Sequence, residues 1–201
     1  PMKLYFKPGA CSLATHIVLR ELGIDFTLEP VDTQAQRTES GIDYKTVNPK
    51  GYVPALDTGR AVLTEGAAIL QYLAESTTLI PDVGTLERAR LQEHLNYIAS
   101  ELHKAFGPFF KASATDEQRA QALETIPRHF DYLESLLDDG RAYLVGDTFT
   151  VADAYLFVVC SWAAVPGIDL KDWPFLNTLW NRIAARPSVK AAMSSEGLVA
   201  P

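Results

Sequence analysis

The spacing of apolar residues follows a strand pattern at both ends of the first 32 residues and a helical pattern between them. The segments 3–6 and 25–32 are short β-prone runs. Between them, apolar residues recur every three or four positions from Leu13 to Leu22, and Gly23 provides a stop signal. The pattern predicts a βαβ unit, whose two strands should be parallel and joined by a right-handed crossover.

A hairpin and then a change to purely helical spacing follow. The segments 48–57 and 60–66 are two further predicted strands, and 64–76 is a predicted helix. From Leu86 onward the spacing is helical almost to the end. We therefore predict an α/β domain over residues 1–80 and an all-α domain over 86–201.

Composition narrows the class of partner. The chain has 201 residues, 47% hydrophobic and 21% charged, with a net charge of -7. This charge argues against nucleic acid or an anionic membrane as partner and favours a small molecule. The sequence shows neither a membrane-length apolar run nor a signal-peptide pattern, so we expect a cytoplasmic protein. Two cysteines in different contexts predict free thiols rather than a disulfide.

Cys11 is the first candidate for chemistry. It follows the Pro8–Gly9 turn at the start of the first predicted helix, where unpaired N–H groups favour negative charge. We expect such a position to lower the pKa of the thiol. Ala14 stands where a two-cysteine redox motif needs a second cysteine, so any thiol partner comes from outside the chain. The alternative is a small structural residue at a helix start. Cys160, in an apolar run, is interpreted as an inert core thiol.

A polar stripe on the first long helix of the second domain is the next candidate. Asn96, Ser100 and His103 are spaced i, i+4 and i+7, which predicts one helix face. If this face borders a cleft, His103 can donate to or accept a proton from a sulfur. An ordinary solvated face is the alternative.

A third candidate combines a strand edge with a helix start. Val53 and Pro54 lie where a proline leaves backbone groups free for an extended peptide-like ligand. Glu65 and Gly66 open the following helix, so that the carboxylate can meet an ammonium and the Gly66 N–H a carboxylate. Together they are suited to the head group of an α-amino acid.

Six segments give the chain a strong likeness to one family. "KLYFKPGACSLATHI", "NPKGYVPAL", "LTEGAAI", "ASELHKAF", "FTVADAYLF" and "ARPSVKAAMSSEGL" together span nearly the whole sequence. With them the chain closely resembles the bacterial beta-class glutathione S-transferases. The resemblance implies a thioredoxin-like N-terminal domain with a cis peptide before Pro54, an all-α C-terminal domain and a homodimer.

The resemblance also assigns residues to glutathione, which would be a co-substrate, with no metal or other cofactor. It places Cys11 and His103 at the glutathione sulfur as catalytic residues. One departure concerns Gln36, which occupies a position where relatives often carry a lysine that reaches the glycyl carboxylate, and we expect weaker affinity as a result. The expected glutathione-binding residues are Cys11, Gln36, Val53, Pro54, Glu65, Gly66, Asn96, Ser100, Glu101, Leu102 and His103.

Conjugation of the glutathione thiol to small hydrophobic electrophiles is the function we expect. The aromatic residues Phe106, Phe109, Phe110 and Trp162 are candidates for the electrophile pocket, although such clusters more often form core. Tyr5 and Ser12 are rival thiol activators. Two other functions stay open: thiol exchange or reductive dehalogenation through Cys11, and non-catalytic binding of hydrophobic compounds. The electrophile itself is not encoded in any recognisable motif.

Overall fold

The computed structural model describes residues 1–199. The strands are β1 Met2–Phe6, β2 Phe26–Asp32, β3 Arg37–Thr38, β4 Ala55–Asp57 and β5 Val62–Thr64. The helices are α1 Ser12–Glu21, α2 Gly66–Ala74, α3 Leu86–Tyr97, α4 His103–Ala105, α5 Asp116–Leu136, α6 Val151–Ser161, α7 Pro174–Ala184 and α8 Pro187–Ser195. Four 3₁₀ turns lie at Tyr44–Thr46, Gly107–Phe109, Trp162–Ala164 and Leu170–Asp172.

The five strands form one mixed sheet in the order β3-β2-β1-β4-β5. β1 and β2 are parallel, as the βαβ prediction requires, with Met2 opposite Phe26. β4 pairs antiparallel with β1 and forms the predicted hairpin with β5. Strand β3 was not predicted, because two residues, Arg37 and Thr38, are too few to show an alternating pattern.

The apolar positions that predicted these elements form the core of the α/β part. Leu4, Ile17, Leu56 and Ile69, from β1, α1, β4 and α2, have no exposed surface. Burial of such side chains drives the association of the helices with the sheet. The α/β thioredoxin-like arrangement expected from the resemblance is confirmed, and the peptide bond before Pro54 is cis as expected.

The first long helix of the second part contains an irregular turn. After α3, residues Ile98–Leu102 form a π-helical segment, which leads directly into α4. A π turn closes its hydrogen bonds from i to i+5, so it shifts the direction of every later side chain relative to a regular α-helix. The sequence pattern predicted an uninterrupted helix here. None of the helices in residues 1–199 combines the length and the apolar character that crossing a bilayer requires.

The described residues divide into two compact units, which differ from the predicted domains at the C-terminal end. One unit comprises residues 1–80 together with 184–199, and the other comprises 81–183. The helical apolar pattern of the last segment predicts that it belongs to the all-α domain. In the structure α8 packs on α1, and Arg186 and Ser188 both hydrogen-bond the Glu21 carboxylate.

A buried carboxylate joins the C-terminal segment to the start of α1. Glu196 Oε1 accepts a hydrogen bond from the Gly9 N–H at 3.0 Å, and Glu196 Oε2 lies 2.6 Å from His16 Nδ1. Arg20 Nε donates to His16 Nε2 at 2.9 Å. Arginine has no acceptor, so Nε2 is the acceptor and Nδ1 carries the proton donated to Glu196. The side chains of His16 and Glu196 are completely buried, so this network fixes the Pro8–Gly9 turn from inside the protein.

Replacing Glu196 is therefore expected to destabilise the α/β unit. Glu196→Ala leaves the Gly9 N–H and His16 Nδ1–H buried without their acceptor, at a cost of about 3 kcal/mol in the free energy of unfolding. Urea denaturation followed by circular dichroism measures this change. The matched control is Glu39→Ala, which removes an exposed carboxylate from the same unit. Equal losses for the two variants would contradict the role of the buried network.

Candidate active site

Cys11 occupies the N-cap position of α1, at the end of the turn that Glu196 holds. Its thiol is partly buried, and Sγ donates a hydrogen bond to the backbone oxygen of Val53 at 3.3 Å. The sulfur thus lies beside the segment that leads into β4. The structure brings together Cys11 and Val53, two of the residues that the sequence analysis selected independently.

The pKa of Cys11 differs from the sequence-based expectation, which was wrong in direction. Burial raises the pKa of the thiol to about 11, and the negative charge of Glu65 adds to this increase. Hydrogen bonds from the backbone N–H groups of Cys11 and Ser12 lower the pKa, as expected for a helix start, but the loss of hydration outweighs them. In the ligand-free protein Cys11 is therefore a protonated thiol and a hydrogen-bond donor near neutral pH. Cys160 is buried, and burial raises its pKa further, as expected for an inert core thiol.

The two rival thiol activators have other partners. Ser12 has no exposed surface, and its hydroxyl donates to the Lys7 carbonyl and accepts from the Lys7 N–H. Tyr5 is buried, with its ring against that of Tyr44. Both side chains therefore stabilise the α/β unit around the Cys11 turn.

The residue before Val53 is held by two side-chain hydrogen bonds. The backbone oxygen of Tyr52 accepts hydrogen bonds from Tyr44 Oη at 2.7 Å and from Asn48 Nδ2 at 2.8 Å. Pairing of β4 with β1 begins only at Ala55, so Val53 and Pro54 precede the strand ladder. This location agrees with backbone groups that can meet an extended ligand.

The side-chain amide of Gln36 is hydrogen-bonded to the surrounding backbone. Its Nε2 donates to the Thr33 carbonyl at 2.7 Å and to the Gly51 carbonyl at 3.1 Å, which uses both amide hydrogens. Its Oε1 is buried and has no hydrogen-bond partner. An amide in this state has only an acceptor to offer, and a carboxylate needs a donor. The predicted contact between Gln36 and a glycyl carboxylate therefore requires Gln36 to break one of these bonds.

Glu65 and Gly66 open α2, as predicted, and Gly66 lies close to Pro54. The Glu65 carboxylate is exposed and pairs with Lys50 Nζ, which also donates to Thr64 Oγ1 at 2.9 Å. Lys50 was not selected in the sequence analysis, since one lysine in a polar loop has no distinguishing pattern.

His103 belongs to the second unit and begins α4. Its Nδ1 lies 2.7 Å from Tyr155 Oη, and its ring packs edge-on against that of Trp162, with a centroid separation of 4.9 Å. Burial lowers the pKa of His103, so the imidazole is neutral near pH 7. The bond to Tyr155 occupies Nδ1 and leaves Nε2 as the nitrogen to meet a ligand. No sequence signal points to Tyr155, because an aromatic residue in an apolar helix resembles any other core residue.

The predicted polar stripe is divided by the π segment. Asn96 and Ser100 are exposed, and Ser100 Oγ donates to the Asn96 carbonyl at 2.7 Å. His103 follows the π segment and faces Tyr155 and Trp162 instead. Of the other selected residues here, Glu101 is exposed, whereas the Leu102 side chain is fully buried. A contact from Leu102 to a ligand would have to involve its backbone.

Two of the selected aromatic residues pack against a third, Trp162. The rings of Phe106 and Phe110 lie edge-on to Trp162, with centroid separations of 5.9 Å and 5.3 Å. Phe106 has no exposed surface and also packs on Phe130, so it belongs to the core. Phe110 is 54% exposed, and Phe109 and Trp162 are partly buried. These three are the selected aromatic residues whose side chains have accessible surface.

A metal site is not formed by the described part of the chain. Nowhere in residues 1–199 do three or more histidine, cysteine or acidic side chains come together in a way that could hold a metal ion.

Comparison with known proteins identifies the family. Residues 9–76 match the family model of the glutathione S-transferase N-terminal domain, and residues 97–187 match that of the C-terminal domain. Glutathione S-transferase GstA of Escherichia coli O157:H7 is 46% identical over 98% of this chain and 100% of its own length. The bacterial beta-class glutathione S-transferase of Sphingomonas chungbukensis is 46% identical, with a TM-score of 0.93 over 98% of this chain and 100% of that one.

A second solved structure matches equally well. It is a sphingomonad glutathione S-transferase complexed with glutathione, 45% identical, with a TM-score of 0.93 over 98% of this chain and 100% of that one. The matches extend over both units and almost the full length of the relatives. The chain belongs to the bacterial beta-class glutathione S-transferases.

Proposed function

We propose that the protein binds glutathione at the residues selected above and conjugates its thiol to small hydrophobic electrophiles in the cytoplasm, as a homodimer. The observation that carries the proposal is the 3.3 Å hydrogen bond from Cys11 Sγ to the Val53 carbonyl. The family resemblance assigns the cysteinyl part of glutathione to Val53, so the glutathione sulfur would come beside Cys11. The named relatives are transferases, which favours conjugation over thiol exchange and over non-catalytic binding.

Binding of the tripeptide is assigned mainly to residues of the first unit. Val53 and Pro54 present backbone beside the cysteinyl part, and Glu65 and Gly66 receive the γ-glutamyl head group. Asn96, Ser100, Glu101 and the backbone of Leu102 are proposed to add further contacts. Phe109, Phe110 and Trp162 are proposed to hold the electrophile, with Phe106 supporting Trp162 from the core. Glutathione is a co-substrate in this scheme.

Cys11 acts in this proposal as a donor. Because its pKa is raised to about 11, Cys11 keeps its proton when glutathione loses its own. The Cys11 S–H then turns from the Val53 carbonyl to the glutathione thiolate and stabilises the negative charge there. The thiolate forms a bond to the electrophilic carbon, the leaving group departs with its electron pair, and the glutathione proton passes to solvent. Neutral His103 contributes a second polar contact to the sulfur through Nε2.

Conjugation and thiol exchange are tested separately with one variant assayed in two reactions. We expect Cys11→Ala to lower kcat/KM for glutathione with 1-chloro-2,4-dinitrobenzene about tenfold, since it removes one hydrogen bond of about 1.5 kcal/mol to the thiolate. The same variant should lose exchange with oxidised glutathione, because the Cys11 sulfur is the group that would form the mixed disulfide. Mass spectrometry after incubation with oxidised glutathione should show one glutathionyl group on Cys11 and none on Cys160 of the native chain.

Two results would contradict this scheme. Glutathione binding without turnover on a panel of electrophiles would support a non-catalytic binder. Conjugation by Cys11→Ala at the native rate would leave the 3.3 Å contact without a role in catalysis.

The raised pKa of Cys11 predicts how its reactivity depends on pH. The thiolate is the reactive form, so the rate of alkylation by iodoacetamide should rise about tenfold per pH unit between pH 7 and 10. Rates are measured by mass spectrometry on the ligand-free protein, with Cys11→Ser as the control that reports reaction elsewhere. A rate that stops rising below pH 9 would contradict this pKa. It would show that the backbone N–H groups at the helix start lower the pKa more than burial raises it.

The lowered pKa of His103 predicts an acid limit to catalysis. A histidine whose pKa lies below its usual value of about 6.5 is neutral at pH 7 and becomes charged only in more acidic solution. We expect kcat/KM to fall as pH decreases through that range, and His103→Gln to remove this part of the profile while lowering activity at pH 7. Tyr155→Phe should lower kcat without changing KM for glutathione. It removes the hydrogen bond that orients the His103 ring but leaves Nε2 in place. An unchanged acid limb in His103→Gln would assign it to another group.

A further inference from the structure

The ion pair between Lys50 and Glu65 occupies the Glu65 carboxylate, which binds the substrate under the proposed function. Lys50 Nζ lies 2.5 Å from Glu65 Oε2 and 2.9 Å from Thr64 Oγ1. Under the proposed function, Glu65 receives the α-ammonium group of the γ-glutamyl residue. An ammonium arriving at Glu65 would bring a second cation close to Lys50, and the repulsion between the two cations favours a new partner for Lys50.

The pair is built to open at low cost. The Lys50 side chain is 44% exposed and that of Glu65 is 66% exposed, and ion pairs in contact with water are weak. The lysine stem is flexible, and its ammonium has three donors that can turn toward a new acceptor. Opening the pair therefore needs no rearrangement of the fold.

The backbone of Lys50, by contrast, is firmly held. Its N–H donates to Asn48 Oδ1 at 3.1 Å, and the N–H of the next residue, Gly51, donates to the Asn48 carbonyl at 2.8 Å. The Gly51 carbonyl accepts from Gln36 Nε2. The side chain can therefore change partner while the backbone of Lys50 stays beside the start of α2.

The incoming head group carries the partner that Lys50 needs. The α-ammonium and α-carboxylate of an amino acid are attached to the same carbon, so an ammonium bound at Glu65 brings a carboxylate into the immediate surroundings of Lys50. We propose that Lys50 binds the α-carboxylate of the γ-glutamyl residue, so that the zwitterionic head group inserts into the Lys50–Glu65 pair. Lys50 then pairs with the substrate carboxylate instead of Glu65, and Glu65 pairs with the substrate ammonium instead of Lys50. This inference rests on the proposed function and adds Lys50 to it as a specificity-determining residue.

Three thiol tripeptides test the exchange. Glutathione carries both head-group charges, glutaryl-cysteinyl-glycine lacks the α-ammonium, and 4-aminobutyryl-cysteinyl-glycine lacks the α-carboxylate. Their Kd values are measured by calorimetry with the native chain and with Lys50→Met, which keeps the length of the stem and removes the charge. The control is Lys45→Met, which removes an exposed lysine from the same loop region.

The expected result is selective. Lys50→Met should weaken binding of glutathione and of glutaryl-cysteinyl-glycine about tenfold, the value of one charge-assisted hydrogen bond. Binding of 4-aminobutyryl-cysteinyl-glycine should stay unchanged or become tighter, because Lys50 no longer competes for Glu65. Lys45→Met should leave all three Kd values within twofold of the native values.

Two patterns would overturn the assignment while leaving glutathione binding intact. Equal weakening of all three ligands by Lys50→Met would indicate a general effect on the loop or on the local charge. Unchanged binding of all three would show that Lys50 contacts no substrate group. Failure of the native chain to bind glutathione at all would overturn the proposed function itself, and this inference with it.

Discussion

The position of Cys11 depends on polar groups that have lost contact with water and must find partners inside the protein. Such groups are costly unless they are paired. Ser12 bonds both backbone groups of Lys7, the Glu196 carboxylate accepts from Gly9, and the Cys11 thiol donates to Val53. Each of these bonds fixes a different part of one short connection between β1 and α1. The result is a thiol with a defined location and a defined partner before any ligand arrives.

Burial favours the uncharged form of both ionisable groups assigned to the sulfur. It raises the pKa of Cys11 and lowers that of His103, so each is uncharged near neutral pH. Under the proposed function the only full negative charge at the sulfur is that of glutathione itself. Neutral donors stabilise such a charge without an additional ion that would need its own hydration. The helix start of α1 adds backbone N–H groups in the same direction.

The sequence was sufficient to predict most secondary-structure elements but not the hydrogen-bond partners of the polar side chains. Apolar spacing predicted β1, α1, β2 and the later hairpin, because each of these buries a face whose period is visible in the chain. Local patterns selected Cys11, Val53 and Glu65, and the resemblance assigned these residues to glutathione and placed the cis bond before Pro54. The pKa of Cys11 was predicted in the wrong direction, since the helix start is local in sequence but the burial that outweighs it comes from the folded protein.

Other features were missed for reasons that are equally physical. The π segment Ile98–Leu102 changes the direction of His103 by one inserted residue, and apolar spacing is too coarse to reveal it. Tyr155 acts through one hydroxyl in an apolar helix, and Lys50 through one exposed ammonium. Glu196 is 180 residues from His16, and pairing over such a separation has no local pattern.

The α/β unit is discontinuous along the chain, and this has a consequence for its assembly during translation. Residues 1–80 emerge from the ribosome before the entire helical unit, whereas Glu196 and α8 emerge after it. The first strands and helices can therefore associate early, but the Pro8–Gly9 turn lacks its carboxylate acceptor until the residues that follow the helical unit have been synthesised. The Cys11 turn therefore receives its last hydrogen bond only after the whole helical unit has been synthesised.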